Sequence, residues 1–145
     1  MPSAERTFTV TTAPTVVLNY LKDFSHAEEW DPGTETCTQN GAGPVQVGTS
    51  WHNTSKLAGR TTELTYTLTE LTNDKLVFVG ENDSAKTIDT ITVRPAGAGS
   101  EVTYHANLEL RGAAKLATPL AKLGFEKLGN DTEKQLTEVL NGLSG

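Results

Sequence analysis

Five polar residues hold most of the chemistry this sequence has to offer: Asn53, Ser55, Tyr66, Asp89 and Tyr104. Each sits in phase with apolar neighbours. Asn53 and Ser55 alternate with Trp51 and Leu57, and Tyr66 lies between Leu64 and Leu68. Asp89 shares its parity with Ile91 and Val93, and Tyr104 falls between Val102 and Ala106. Side chains two apart on a strand point to one face, so all five belong to inward faces. An inward polar group without a partner costs about 1–3 kcal/mol. Each must therefore bond to protein, to water or to a ligand. Two readings follow. Either the groups satisfy one another or reach solvent at strand ends, or they orient a molecule in a mostly apolar pocket. Asp89 is the most informative of the set: burial would raise its pKa and equip it as an acid.

The usual catalytic residues are poorly placed by comparison. His52 and His105 have the parity opposite Trp51 and Tyr104, so both are expected to point away from the interior, and His26 is expected in solvent. Cys37 reads as a small strand residue. Gly41-Ala42-Gly43 precedes no helix and reads as a turn. The sequence has no phosphate loop, zinc-ligand cluster, nucleophile elbow or dinucleotide fingerprint, so no cofactor or metal is expected and no catalytic residue can be named.

The elements that would position these residues are legible from periodicity. Glu5 to Thr12 alternates as a half-buried strand, with Phe8 and Val10 on one face. Thr12-Ala13-Pro14 starts a short helix, with Thr12 as its cap. Ser25-His26-Ala27-Glu28 has capping-box spacing for a second short helix, which must end by Asp31. Six strands follow. The first is Thr36 to Gln39. The second spans Val45 to Leu57 and turns tightly at Ala58-Gly59-Arg60. The third is the clear alternation around Leu64, Tyr66 and Leu68. Leu76 to Val79 is apolar on both faces. Thr87 to Arg94 leads into a flexible hairpin loop at Pro95 to Ser100, and Val102 to Leu110 closes the series. Ala113 to Leu123 is apolar and rich in small residues. Its Leu116, Pro119 and Leu120 suit either a lid or a kinked first helical turn.

The last element is a helix from about Leu120 to Leu143. Phe125, Leu128, Leu136, Val139, Leu140 and Leu143 fall in one sector about 120° wide, with Thr132 at its centre. Such a stripe needs a large apolar surface, and the residues before it are mostly strand. The expected fold is α+β: a curved seven-stranded antiparallel sheet wrapped round a long C-terminal helix, with two short helices between the first and second strands.

The 145 residues suit one domain, 1–145, with a core that needs no staples. A single cysteine excludes an internal disulfide. The N-terminal residues lack a secretory pattern, and no run approaches a membrane span, so a cytoplasmic protein without stable membrane insertion is expected. A formal net charge of -6 with scattered Lys and Arg counts against nucleic acid as a partner. Nothing in the sequence fixes the oligomeric state.

The element order and several motifs resemble the helix-grip superfamily of START domains, Bet v 1-like proteins and bacterial polyketide cyclase/dehydrase-like proteins. The motifs are Ala13-Pro14, Phe24-Ser25-His26-Ala27-Glu28-Glu29-Trp30-Asp31-Pro32, Val47-Gly48-Thr49-Ser50-Trp51, Asp89 to Pro95 and Val102-Thr103-Tyr104. The resemblance implies a cavity between sheet and long helix that takes lipids, sterols, polyketides or similar molecules. On that basis the expected walls are Trp51, Tyr66, Phe78, Ile91, Tyr104, Ala106 and Leu128, with Asn53, Ser55 and Asp89 as polar contacts. Trp30 is placed either at the mouth or in the core. The expected function is binding or carrying a hydrophobic small molecule. The alternatives are a polyketide cyclase, aromatase or dehydratase using the same cavity, and an interaction module with a closed core.

Overall fold

The computed structural model describes residues 2–57 and 60–143. Its elements run β1 (Ser3–Val10), α1 (Pro14–Leu21), α2 (Ala27–Trp30), β2 (Thr34–Gln39), β3 (Ser50–Leu57), β4 (Arg60–Leu71), β5 (Lys75–Glu81), β6 (Ala85–Ala96), β7 (Gly99–Leu110) and α3 (Thr118–Asn141). All seven strands form one antiparallel sheet in the order β1-β7-β6-β5-β4-β3-β2. One face of the sheet holds its buried apolar residues, and α3 lies against that face. The stripe Phe125, Thr132, Leu136 and Leu140 is buried as its spacing requires, with Leu128 and Val139 half-buried at its margins.

Strand phase follows the period of two. Leu64, Tyr66 and Leu68 on β4, Asp89, Ile91 and Val93 on β6, and Val102, Tyr104, Ala106 and Leu108 on β7 are buried. The apolar run of β5 resolves with Leu76 and Phe78 inward. A bulge between Leu68 and Glu70 on β4 and another between Thr34 and Thr36 on β2 break the ladder and add curvature.

Several boundaries differ from the sequence reading, each for a local reason. Thr12 does not cap α1: Ala13 occupies that position, and the Thr12 hydroxyl donates instead to the Leu140 carbonyl at 2.5 Å. The second cap is Asp23, not Ser25. Its Oδ1 accepts from the Ser25 amide and hydroxyl, which opens a 3-10 turn (Phe24–His26) ahead of α2. Glu28, freed from a box, accepts the Cys37 amide at 2.8 Å. Val45 and Val47 lie in a loop, with Val47 exposed, because β3 begins only at Ser50. The expected loop at Pro95 to Ser100 is largely strand. Pro95 pairs with Ser100 and Ala96 with Gly99, and Gly97 supplies the positive φ of 61° that so short a turn requires. α3 begins at Thr118, with Pro119 in its first turn. The connection expected at Ala58-Gly59 lies outside the described residues.

The C-terminal half of α3 is tied down. Besides the Thr12 bond, the Thr11 amide donates to Asn141 Oδ1 at 2.8 Å, and Ser100 Oγ donates to the Thr12 carbonyl at 2.7 Å. At mid-helix, Arg6 of β1 reaches Asn130 and Glu126. The helix passes close over β1 there, where a β-carbon at Gly129 would stand 3.1 Å from Ala4 Cβ.

Candidate ligand-binding site

The space between α3 and the sheet is filled at one end and empty at the other. Phe24 is the hub of the filled part. Its ring centroid lies 4.5 Å from those of Tyr66 and Phe78, 5.9 Å from Trp30 and 6.1 Å from Trp51. Phe24, Trp30, Trp51 and Phe78 are fully buried. Trp30 is therefore core, and its Nε1–H is a buried donor without a partner among the described residues.

Toward the N-terminal end of α3 the space opens into a cleft of about 760 Å³. Leu64, Ala85, Leu108, Leu110, Ala113, Ala114, Leu116 and Ala121 give it apolar walls. Arg60, Thr62, Asn82, Ser84 and Thr87 add polar groups, and Gly124 leaves one side open. A 3-10 turn (Gly112–Ala117) brings Ala113, Ala114 and Leu116 to the rim, where Leu116 is 88% exposed. Behind the cleft, sharing Thr62, Leu64, Thr87 and Leu108 with it, is an inner chamber of about 70 Å³. Asp31, Ser55, Tyr66, Asp89, Tyr104, Ala106, Phe125 and Leu128 are among its walls.

Small residues make the chamber. Tyr66 pairs with Gly80, and Gly80 with Thr87. A β-carbon at Gly80 would stand 2.7 Å from the Tyr66 ring, so glycine lets the ring lie across β5 and the Tyr66 hydroxyl accept a bond from Thr87 at 3.2 Å. Asp89 pairs with Ala106, whose methyl leaves room beside the carboxyl. The Tyr104 hydroxyl faces the Asp89 carboxyl and interacts with it. Burial first and the Asp31 carboxyl second raise the Asp89 pKa to about 8, against a partial offset from the Tyr104 hydroxyl. Asp89 is thus largely a neutral acid at pH 7. Burial also raises Asp31, against the pull of bonds from the Gly33 amide and the Thr34 hydroxyl. Both phenols are held neutral, first by burial and then by the nearby carboxyls.

The residues expected at the site divide. Ser55, Tyr66, Asp89, Tyr104, Ala106 and Leu128 come together around the inner chamber. Trp51, Asn53, Phe78 and Ile91 line neither space; they are packed solid. Trp51 donates its Nε1–H to Asp23 at 3.3 Å. Asn53 is consumed by a relay: Ser55 Oγ donates to its carbonyl oxygen, and its amide donates to Thr34 Oγ1 at 3.1 Å, which donates to Asp31 at 3.0 Å. Burial pushes the Cys37 thiol up to about 12, which denies it nucleophilic character at neutral pH. His52 meets Glu63 on the outer face, and His105 lies half-buried on that face. His26 is not free in solvent, as its ring stacks on Tyr20 at 4.2 Å. The residues missed are Asp31 and the cleft walls, above all Leu108, Thr87, Ala113, Ala114 and Ala121. For the three alanines the advance signal was the run of small residues after Gly112.

A curved antiparallel sheet closed over a long C-terminal helix, with two short helices after β1 and a cleft between, is the helix-grip architecture. Within it, the chain belongs to the polyketide cyclase / dehydrase and lipid transport family, whose model matches residues 1–141. The protein TTHA0849 from Thermus thermophilus has the same fold, with a TM-score of 0.81 at 16% identity over 99% of this chain and 100% of that one. The aromatase/cyclase ZhuI from Streptomyces sp. R1128 superposes with a TM-score of 0.75 at 14% identity, covering 97% and 91%. A START superfamily protein from Mycobacterium smegmatis gives 0.72 at 15% identity, covering 97% and 94%. No curated protein matches the sequence. Among the described residues, no helix is long and apolar enough to cross a membrane.

Proposed function

We propose that residues 1–145 act as one ligand-binding domain that takes up and carries a hydrophobic small molecule, a lipid, sterol or polyketide-like compound, in the cytoplasm. The observation that carries this reading is the cleft of about 760 Å³ with its mainly apolar walls, a few polar groups along it and a further polar set in the chamber at its inner end. That is the make-up of a small-molecule site. A closed interaction module would have no use for such a space. The family's description as cyclase, dehydrase and lipid transport fits the same reading. The test is native mass spectrometry of the purified protein with solvent extraction of what it holds, joined to thermal melts with sterols, lipids and aromatic polyketides. A bound apolar compound raises the melting temperature because it binds only the folded state. No copurifying molecule and no shift with any of these classes would refute it.

A second reading, a cyclase, aromatase or dehydratase in the same cleft, draws on one observation: Asp89, a buried acid with a pKa raised to about 8, stands among two neutral phenols. Turnover of a polyketide-like substrate that is lost in Asp89→Asn would favour it over carriage alone.

A further inference from the structure

Asp89, Tyr66 and Tyr104 are each more than nine-tenths buried, and all three line the inner chamber. Tyr66 accepts a hydrogen bond from Thr87, but its own proton has no acceptor among the described residues. Tyr104 and Asp89 interact with each other, and neither bonds through its side chain to any further described residue. With Asp89 neutral, its pairing with Tyr104 leaves one donor proton free, and Tyr66 supplies another, so two donor protons converge on a space of about 70 Å³ at the inner end of an apolar cleft. Asp31 next to them is already engaged, by the Gly33 amide and the Thr34 hydroxyl.

We propose that the inner chamber recognises a neutral oxygen acceptor, a ketone, ester or amide carbonyl at one end of an apolar molecule, which the Asp89–Tyr104 pair and the Tyr66 hydroxyl hold together. The proposal rests on the carrier reading above and names which end of the ligand enters first. A donor proton that faces a dry space without an acceptor is costly, and a carbonyl oxygen, with two lone pairs, can accept both. Hydrogen-bond donors held in a dry site discriminate strongly against a ligand that lacks the acceptor. The same chamber turns away carboxylate and phosphate groups. β7 presents Tyr104 to Asp89, β4 presents Tyr66, β5 presents Phe78, and the segment after α2 presents the Asp31 carboxyl. α3 contributes Phe125 and Leu128, which carry no charge. The one cation on the wall, Lys56, is largely exposed at the rim and pairs with Glu35 at 3.9 Å.

Four naphthalenes of similar size test this: 2-acetylnaphthalene, 2-ethylnaphthalene, 2-naphthoate and 2-naphthylmethylamine, titrated by fluorescence from about pH 6 to about pH 9.5, a range spanning the Asp89 ionisation. The ketone is expected to bind about tenfold more tightly than the ethyl compound at the acid end. That advantage should vanish as Asp89 ionises near its pKa of about 8. Naphthoate should bind more weakly than the ethyl compound throughout. Asp89→Asn, which keeps a donor, should retain the ketone preference and lose its pH dependence. Tyr104→Phe should reduce the preference at every pH. Equal affinity for ketone and ethyl compounds at all pH values would overturn the proposal. So would an amine that binds tightest and gains affinity as pH rises, because the chamber would then be an ammonium site. If none of the four binds, the carrier reading fails first, and that result is distinct from either of these.

Discussion

The two ends of the sheet–helix space differ in side-chain size more than in polarity. At the closed end, Phe24, Trp30, Trp51 and Phe78 meet edge to face or tilted and are joined by Leu21, Leu136 and Leu140, all at 0% exposure. At the open end, the walls are alanines, leucines, threonines and a glycine, with Arg60, Asn82 and Ser84 beside them and no aromatic ring. All seven strands stay hydrogen-bonded neighbours in one sheet, with bulges only on β2 and β4. The large rings stop short of the cleft. The ties on α3 divide in the same way. Its C-terminal half is bonded to Thr11 and Thr12, whereas the segment before Phe125 has Lys122, Leu123 and Gly124 exposed.

Truncation should expose this difference most strongly. Trp51→Ala at the closed end is expected to cost about 3–5 kcal/mol, because the ring is wholly enclosed and its neighbours cannot collapse into the gap. Leu128→Ala should cost less than about 2 kcal/mol, since Leu128 is half-buried and already borders empty space. Urea denaturation with unchanged m-values measures both. Equal losses would mean that the cleft end is packed as tightly as the aromatic end.

The pH dependence of stability sharpens the contrast at the chamber between them. A carboxyl with a pKa near 3.8 when unfolded and about 8 when folded binds an extra proton in the native state between those values. Its contribution is intact below about pH 3.8 and is lost progressively as pH rises to about 8. One such group changes stability by at most about 1.4 kcal/mol per pH unit. Asp89→Asn should therefore become more stable relative to the wild type as pH rises, with the difference levelling off above about pH 8. Some slope should remain in the variant, because burial raises Asp31 too. Parallel stability curves for the two proteins would show Asp89 to be solvated.

Next in size is Gly80→Ala. The added methyl would meet Tyr66 at 2.7 Å and Thr87 Oγ1 at 2.8 Å, so a buried ring must move. A loss of about 1–3 kcal/mol is expected, by thermal or chemical denaturation. An unchanged midpoint would show that the Tyr66 ring has freedom to swing into the chamber.

How far these features could be read in advance depended on their origin. Strand phase was legible at Tyr66, Asp89 and Tyr104 because a period of two leaves one choice of face. The long helix was legible because Phe125, Thr132, Leu136 and Leu140 fall on one stripe. Which inward residues touch empty space was not. Trp51 and Asn53 have the same parity as Ser55, yet only Ser55 borders the chamber. That outcome is set by Phe24, which arrives from a different part of the chain, and by Gly80, whose missing side chain shows only when Tyr66 is known to pair with it. The Thr12 cap failed for a similar reason. A hydroxyl beside a helix start prefers its local amide only if no distant carbonyl, here that of Leu140, is closer to hand.

The smallest effect isolates the comparison within α3 itself. Glycine in a helix interior costs up to about 1 kcal/mol relative to alanine, mainly through the freedom of the unfolded chain. A β-carbon at Gly124 would have nothing within 4 Å. Gly124→Ala should therefore stabilise the protein by about 0.5–1 kcal/mol, seen as a small rise in melting temperature. Gly129 lies little more than one turn further on, and there the same methyl would stand 3.1 Å from Ala4 Cβ and from the Arg6 guanidinium. Arg6 would have to give up its present hold on Asn130 and Glu126, so Gly129→Ala should gain nothing or lose stability. Opposite signs for one chemical change, so close together on one helix, locate the boundary between the cleft and the packed interior. If Gly124→Ala also destabilises, the start of α3 is held against the sheet, and the cleft is narrower than about 760 Å³.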